Sequence, residues 1–536
     1  MIGYAISFSV MFIFLFYISG TTITHFFKIR LRNPFISIAI GFFLYFSFIT
    51  IFSFPLQIIG IVPYYFLIYY DAAITFVYLA FFLILFKFWI STIWISLMSI
   101  RYFLIVAIAL SATWILLHLF STNSFNDFRE TLAIMNWISG NQLAFINDST
   151  LFSYFGFKPF QAWYTLLQII INLTNAQVYD YNDLIITFTL IIEAFLVASI
   201  ILTIHTTFSK IGNKLFDTLV LFIMSIIFIS IKTLFSVQED AVWSERTLFM
   251  YLLIFIVIML INYVTSDFRQ RNMPILIGLM FTCYTSFSWD SSYPVLFLLF
   301  VFMFILQIAF KTSWTKDLIK ISVGPIISVI CFSVITNLII QWIILVIIAF
   351  FMLMAVFIMN SRYARIQKVE LFLSKHFKLS VLFVPTMFAL LSLAMILGQP
   401  SAFAQLVGGY LTFIEKFLVF IKNEEIRYWI VILVSFALII LSIVWIILRD
   451  RLSYGIVVYA VDLFVISYLT FYNPIVIKFI TVIYTPLLQS DGVMMLVMLI
   501  VVIVANMYYV INKINTKIKV SKSVNVNKLP VYIYVV

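Results

Sequence analysis

The feature that most limits the fold of this chain is a long series of uninterrupted apolar runs. Residues 36–54, "ISIAIGFFLYFSFITIFSF", carry no charge over about twenty positions, the length at which a helix crosses a bilayer. In lipid only helices and closed barrels satisfy the backbone, and barrel strands alternate apolar and polar residues, which these runs do not. The sequence therefore predicts an all-α fold, a polytopic bundle of transmembrane helices.

Composition agrees with that prediction. Apolar residues make up 64% of the 536 residues and charged residues only 10%, whereas soluble domains are about a quarter charged. Apolar length predicts about 15 spans, with a range of about 13–17. They are placed near 2–24, 35–54, 64–86, 102–120, 183–208, 215–233, 248–265, 274–288, 294–310, 320–336, 339–359, 379–398, 429–448, 454–472 and 493–511.

The distribution of positive charge predicts the orientation. Most of the 32 Lys and Arg residues fall in loops on one side of this layout, and such loops are cytoplasmic. The N-terminus is then outside and the C-terminus cytoplasmic, in a multi-pass protein of the cell membrane. The net charge of +11 is explained by this bias and by attraction to anionic membrane lipid. Because no soluble basic module is present, no nucleic-acid partner is expected.

The longest predicted outer segment, 121–182, begins with a cluster of polar residues, "NDFRET" at 126–131. Asp127 and Glu130 are three residues apart, so on a helix they project from one face. Two close carboxylates suit a general base or a divalent cation. The alternative is structural, since Ser124 followed by Asp127 is also a capping pattern at a helix start.

Two further outer loops carry candidate binding residues. "SERTLF" at 244–249 contains Glu245 and Arg246, and the planar guanidinium of Arg246 suits a phosphate, although an ion pair with Glu245 or Asp240 explains it equally. "SFSWDSSYP" places Trp289 and Asp290 side by side. An aromatic there can stack on a sugar ring, while a membrane-interface aromatic belt is the favoured alternative.

The outer segment also contains an amphipathic stretch, "PFQAWYTLLQIIINLT" at 159–174. Its polar residues recur at helical spacing, at Gln161, Thr165, Gln168 and Asn172. Because the stretch is too short to span, it is predicted to be a helix lying in the outer interface.

Acidic residues inside predicted spans favour a different function. Asp71, Glu193 and Asp462 fall within apolar runs, where an ionised group costs about 2.5–3.5 kcal/mol on insertion scales. Such residues are typical of transporters, but the broken helices and internal two-fold similarity of many transporter folds are not evident in this sequence.

Taken together, these motifs resemble the GT-C class of integral membrane glycosyltransferases, and most closely a bacterial branch with extra N-terminal spans. The resemblance covers about 102–300 and rests on "NDFRE" (126–130), "KPFQAWYTLL" (158–167) and "SERTLF". Members commonly carry DD, DE or ED where this chain has Asn126 and Asp127. Only Asp127 of that pair is therefore carried over.

The resemblance implies transfer of a sugar from a polyprenyl-phosphate donor to an extracytoplasmic acceptor during cell-envelope glycan assembly. Asp127 would be the general base, Glu130 would orient the acceptor or a metal, and Arg246 would steady the departing phosphate. Glu245, Trp289 and Asp290 are the other expected substrate-binding residues. The acceptor is a glycan, a lipid or a protein, and the cofactor is either none or a divalent metal ion.

The chain is expected to form a single membrane domain, 1–536. Within it, 1–101 are interpreted as accessory N-terminal spans, 102–310 as the catalytic core with the outer loop 121–182, and 311–536 as C-terminal spans with a basic cytoplasmic tail. Two other functions stay open. One is a transporter or flippase of a lipid-linked or small polar substrate, and the other is a polysaccharide polymerase or ligase.

Overall fold

The computed structural model is helical throughout the part of the chain that it describes, and that part contains no strand. The described residues are 2–29, 31, 33–59, 64–86, 100–119, 162–174, 181–209, 214–238, 245–265, 272–283, 287, 317, 320–321, 372, 375–376, 504, 507–508, 510–512 and 514–515. The helices are α1 (Ile2–Phe26), α2 (Ile36–Ile59), α3 (Tyr64–Phe86), α4 (Ile100–Leu119), α5 (Ala162–Thr174), α6 (Tyr181–Phe208), α7 (Lys214–Gln238), α8 (Glu245–Thr265) and α9 (Met273–Phe281).

The long helices follow the apolar runs of the sequence. Among the described residues, four segments are long and apolar enough to cross a membrane, namely Ile2–Phe26, Ile36–Ser53, Ile68–Leu85 and Leu184–Phe208. The predicted all-α class is thus confirmed for the described part. Helices lie at each predicted span from 2–24 to 248–265, and α9 covers the first part of 274–288. The predicted spans at 294–310 and from 339–359 to 454–472 lie outside the described residues, and only a few positions of 320–336 and 493–511 are included.

A tight turn joins α1 to α2. Lys28 adopts a left-handed conformation, with φ of 56°. Its N–H donates to the carbonyl of His25 at 2.9 Å, and the N–H of Ile29 donates to the carbonyl of Thr24 at 2.7 Å. This pair of bonds is a Schellman motif, which ends α1 and satisfies its last carbonyls. The turn lets α2 fold back along α1.

The two helices approach each other at glycines. A Cβ atom on Gly20 would overlap the carbonyl oxygen of Ser37, and one on Gly41 would overlap the carbonyl oxygen of Phe16. Each glycine therefore makes room for the backbone of the opposite helix. Membrane helices commonly pack in this way, because small residues allow the close contact that replaces a hydrophobic driving force.

Helix α6 packs against both α2 and α4. Ser199 Oγ donates to the carbonyl of Phe35 at 3.0 Å, and Tyr102 Oη donates to the carbonyl of Phe195 at 3.0 Å. The rings of Phe35 and Tyr102 stack with centroids 4.2 Å apart. These contacts bring the starts of α2 and α4 to the second half of α6.

One end of the bundle can therefore be defined by its contacts. At the Phe208 end, α1 and α6 terminate while α2, α4 and α9 begin. Helix α9 is fixed there by Asn272, whose Nδ2 donates to the carbonyl of Phe27 at 3.0 Å. The opposite end, at which α6 begins, is the Tyr181 end. Neighbouring helices thus alternate in direction, as successive membrane spans must.

We predict that Gly41→Ala destabilises the folded protein by about 1–3 kcal/mol, because even one methyl group must displace the backbone of α1. The measurement is thermal unfolding of purified protein in detergent, followed by intrinsic tryptophan fluorescence.

Gly3→Ala is the matched control, since a Cβ on Gly3 meets nothing within 4 Å and alanine favours a helix. Equal effects of the two substitutions would show that the contact at Gly41 is not tight.

Candidate functional site

The acidic residues predicted to act in the outer loops fall mainly outside the described part of the chain. Asp127, Glu130, Trp289 and Asp290 are not among the described residues, and neither is Asp462. Glu245 and Arg246 are the first residues of α8, and the structure describes their backbone only. The arrangement of the predicted catalytic and binding residues therefore stays a prediction, whereas the structure describes the helices that border their segments.

Two of the helix ends that border these segments, the end of α4 and the start of α8, lie at the Tyr181 end of the bundle. Helix α4 starts at the Phe208 end and therefore ends at the Tyr181 end. The segment that contains Asp127 follows it in the sequence. Helix α7 also starts at the Phe208 end, where Ser209 Oγ donates to Asp217 Oδ1 at 2.7 Å, so α8 begins at the opposite end. Phe287 beyond α9 packs on Phe46, with ring centroids 5.3 Å apart. The segments containing Asp127 and Arg246 therefore join the bundle at the Tyr181 end, whereas Phe287, just before Trp289 and Asp290, lies beside the middle of α2.

Helix α5 confirms the predicted helix within 159–174, but its surroundings differ from those of a helix lying on a surface. Its described side chains from Ala162 to Ile171 are all buried, including the polar Thr165 and Gln168. Gln168 Nε2 donates to Asn172 Oδ1 at 3.2 Å, and Asn172 is exposed. The predicted polar stripe is therefore turned largely into the protein.

The contacts of α5 show how deeply it is inserted. Trp163 packs on Phe42 and Phe46 of α2 and on Phe188 of α6, with ring centroids 6.1–6.4 Å apart. Phe46 lies near the middle of α2. Ile169, about two turns further along α5, packs on Ile68 near the start of α3. The start of α5 thus lies deep in the bundle, and the helix rises toward the Tyr181 end.

Asp71 is fully buried between α3 and α2. Ser53 Oγ donates to Asp71 Oδ1, while Asp71 Oδ2 has no hydrogen-bond partner in the structure. Close by, Thr75 Oγ1 donates to the backbone carbonyl of Asp71 at 2.7 Å and contacts Tyr45 Oη at 2.9 Å. An incompletely bonded acid inside a helix bundle is costly and is typical of functional positions.

Glu193 is the second buried acid. Tyr251 Oη of α8 donates to Glu193 Oε1 of α6 at 2.5 Å, and the side chains of both residues are buried. The sequence identified Glu193 because an acid interrupts an apolar run. It did not identify Tyr251, since tyrosine is common in this chain and the pairing depends on how α8 packs on α6.

A third polar group, the His205 cluster, consists of His205, Ser209, Asp217 and Tyr508 at the Phe208 end. His205 Nε2 lies 3.0 Å from Asp217 Oδ1, and His205 Nδ1 lies 2.8 Å from Tyr508 Oη. When Nε2–H donates to Asp217, Nδ1 of a neutral imidazole accepts a hydrogen bond from the Tyr508 hydroxyl group. Asn512 Nδ2 also donates to the carbonyl of Phe208 at 2.8 Å. The cluster joins the C-terminal part of the chain to α6 and α7.

Sequence analysis did not predict the His205 cluster. Asp217 lies in the first turn of α7, where a negative charge is stabilising in any helix. His205 and Tyr508 are 303 residues apart, and neither lies in a motif. Their contact is set entirely by helix packing.

The described residues offer no metal centre. None of their His, Cys, Asp and Glu side chains form a group of three that could hold a metal ion. This finding does not bear on the outer acids, which belong to undescribed segments. A divalent metal there stays part of the prediction.

Comparisons with protein-family models, with curated protein sequences and with solved structures found no match to this chain.

We predict that Tyr508→Phe lowers the free energy of unfolding by about 1–3 kcal/mol, because it leaves the buried His205 Nδ1 without its hydroxyl partner. Thermal unfolding in detergent provides the measurement. Tyr4→Phe is the control, since Tyr4 is 57% exposed. If Tyr508→Phe behaves like Tyr4→Phe, the contact between His205 and Tyr508 contributes nothing to stability.

Proposed function

We propose that this chain is a membrane glycosyltransferase of GT-C type that uses a polyprenyl-phosphate sugar. It transfers the sugar to an extracytoplasmic glycan, lipid or protein acceptor in the assembly of the bacterial cell envelope. In this proposal the Tyr181 end faces outside, and the N-terminus is outside while the C-terminus is cytoplasmic.

The observation that carries the proposal is the shared position of the described helix ends. The segments containing Asp127 and Arg246 both border helix ends at the Tyr181 end, and α5 inserts into the bundle at that same end. A site assembled from several loops above a rigid helical scaffold is a common arrangement for enzymes. The inserted helix supports the segment that connects Asp127 to α6.

The proposed chemistry requires few groups. Asp127 removes the proton from the acceptor hydroxyl as the oxygen attacks the anomeric carbon, and the bond from that carbon to the lipid phosphate breaks. Arg246, at the start of α8, stabilises the charge that develops on the departing phosphate. Glu130 orients the acceptor or a divalent cation.

The remaining outer residues would bind the sugar and its neighbours. Trp289 offers an aromatic face to the sugar ring and Asp290 accepts hydrogen bonds from its hydroxyl groups. Glu245 precedes Arg246 and would hold the guanidinium in position. The donor lipid would enter sideways from the membrane, so that its phosphate meets the Tyr181 end.

A second candidate function is a transporter or flippase, and the buried acids favour it. Asp71 and Glu193 both lie inside the bundle, on helices that are apolar enough to cross a membrane. Intramembrane acids are a usual means of moving protons or polar substrates. Both acids are distinct from the outer residues, so the two functions can be separated by mutation.

The proposed orientation predicts the accessibility of single cysteines. In a Cys283→Ala, Cys331→Ala background, Ser124→Cys should react with a membrane-impermeant maleimide in intact cells. Ser521→Cys should react only after permeabilisation, because the C-terminal tail is cytoplasmic. The opposite pattern would place the Tyr181 end inside and contradict an extracytoplasmic site.

The proposed mechanism predicts that Asp127→Asn lowers sugar transfer by about 10²-fold or more, because a general base contributes about 10²–10⁴-fold. The assay follows a labelled sugar from a polyprenyl-phosphate donor into envelope glycan, using membranes that contain equal amounts of each variant. Asp148→Asn, in the same outer segment, is the control and should retain activity.

Full transfer activity in Asp127→Asn would refute the general-base role. The transporter alternative is tested in proteoliposomes, by measuring movement of the lipid-linked sugar between leaflets. Loss of movement in Glu193→Gln or Asp462→Asn, with Asp127 dispensable, would favour transport instead.

A further inference from the structure

The side of the bundle formed by α1 and α3 contains buried oxygen atoms that are not hydrogen-bonded. In the described parts of these two helices they include Thr22 Oγ1 and Asp71 Oδ2. Asp71 and Tyr78 are seven residues apart, which places them on the same face of α3, two turns from each other. Buried polar atoms of this kind are normally satisfied by a protein partner or by water.

The neighbouring hydroxyl groups cannot satisfy Asp71 Oδ2, because their protons are already in use. Ser53 donates to the other oxygen of the same carboxyl group, and Thr75 donates to the backbone carbonyl of Asp71. Since the Thr75 proton is committed, the Tyr45 hydroxyl is the donor in its contact with Thr75. For Ser53, Thr75 or Tyr45 to donate to Asp71 Oδ2, its present hydrogen bond would therefore have to break.

Among the described residues, none places a positive charge beside Asp71. The structure gives it no ion pair with any described residue. Within the described part of this interface, the titratable groups near Asp71 are the phenols of Tyr45 on α2 and Tyr78 on α3. The polar side chains on the facing helices are hydroxyl and amide groups, namely Ser19 and Thr22 on α1 and Thr165 and Gln168 on α5. A carboxylate ion with one hydrogen bond and no counter-charge is strongly disfavoured in such a place.

We propose that Asp71 is a proton-binding site within the membrane, at which Oδ2 carries a proton in the resting protein and exchanges it with water. Binding forms an O–H bond on Oδ2, and release returns that proton to a water molecule. Thr22 Oγ1 and Tyr78 Oη are further buried polar atoms on α1 and α3. The site is separate from the outer loops, so it does not depend on the proposed glycosyl transfer.

Infrared spectroscopy of the full-length protein in lipid nanodiscs tests this inference. At neutral pH the wild-type protein should show the carbonyl stretch of a protonated carboxyl group, and this band should disappear in Asp71→Asn. In D₂O the band should shift, because the proton exchanges. Asp217→Asn is the matched control and should retain the band, since Asp217 is the partly exposed partner of His205.

Ser53→Ala provides a second test that keeps Asp71 in place. Loss of the Ser53 hydrogen bond should move the same band to higher frequency, even if Asp71→Asn does not fold. Absence of the band from the wild-type protein, or its persistence in Asp71→Asn, would overturn the assignment. A band that stays unshifted in D₂O would also overturn it, because it would show a structural acid that does not exchange its proton.

Discussion

The close approach of α1 and α2 is the contact on which the other described contacts of the bundle depend. At Gly20 and Gly41 the backbone of one helix occupies the space that a side chain would need on the other. This fixes the start of α2 precisely, so that the carbonyl of Phe35 can accept a hydrogen bond from Ser199 and its ring can stack on Tyr102. Helices α4 and α6 are thereby positioned from the same point.

Polar side chains in this bundle follow two patterns. Most buried hydroxyl groups bond within their own helix, as Ser9 does to the carbonyl of Ala5 and Thr50 to that of Phe46. Such bonds satisfy the hydroxyl group without requiring a neighbour. Asp71, Glu193 and His205 instead bond to other helices. These three positions link neighbouring parts of the bundle through their side chains.

The sequence predicted the positions of the helices better than the contacts between them. The 64–86 span coincides with α3 because apolar length alone determines where a helix can cross lipid. Helix α5 shows the limit of such a pattern, since Gln168 lies on a recognisable polar stripe yet is buried. Periodicity identifies a face but not what covers it. No local sequence pattern indicates the contact of His205 with Tyr508. The arrangement around Asp127 stays a prediction that rests on resemblance.

The contact between His205 and Tyr508 also has a consequence for biogenesis. Synthesis proceeds from the N-terminus, so His205 and Asp217 are made 303 and 291 residues, respectively, before Tyr508. Throughout that interval every nascent chain presents an imidazole nitrogen at the Phe208 end without its phenol. The contact can therefore close only after Tyr508 has been synthesised, so it forms late relative to the helices that hold His205 and Asp217.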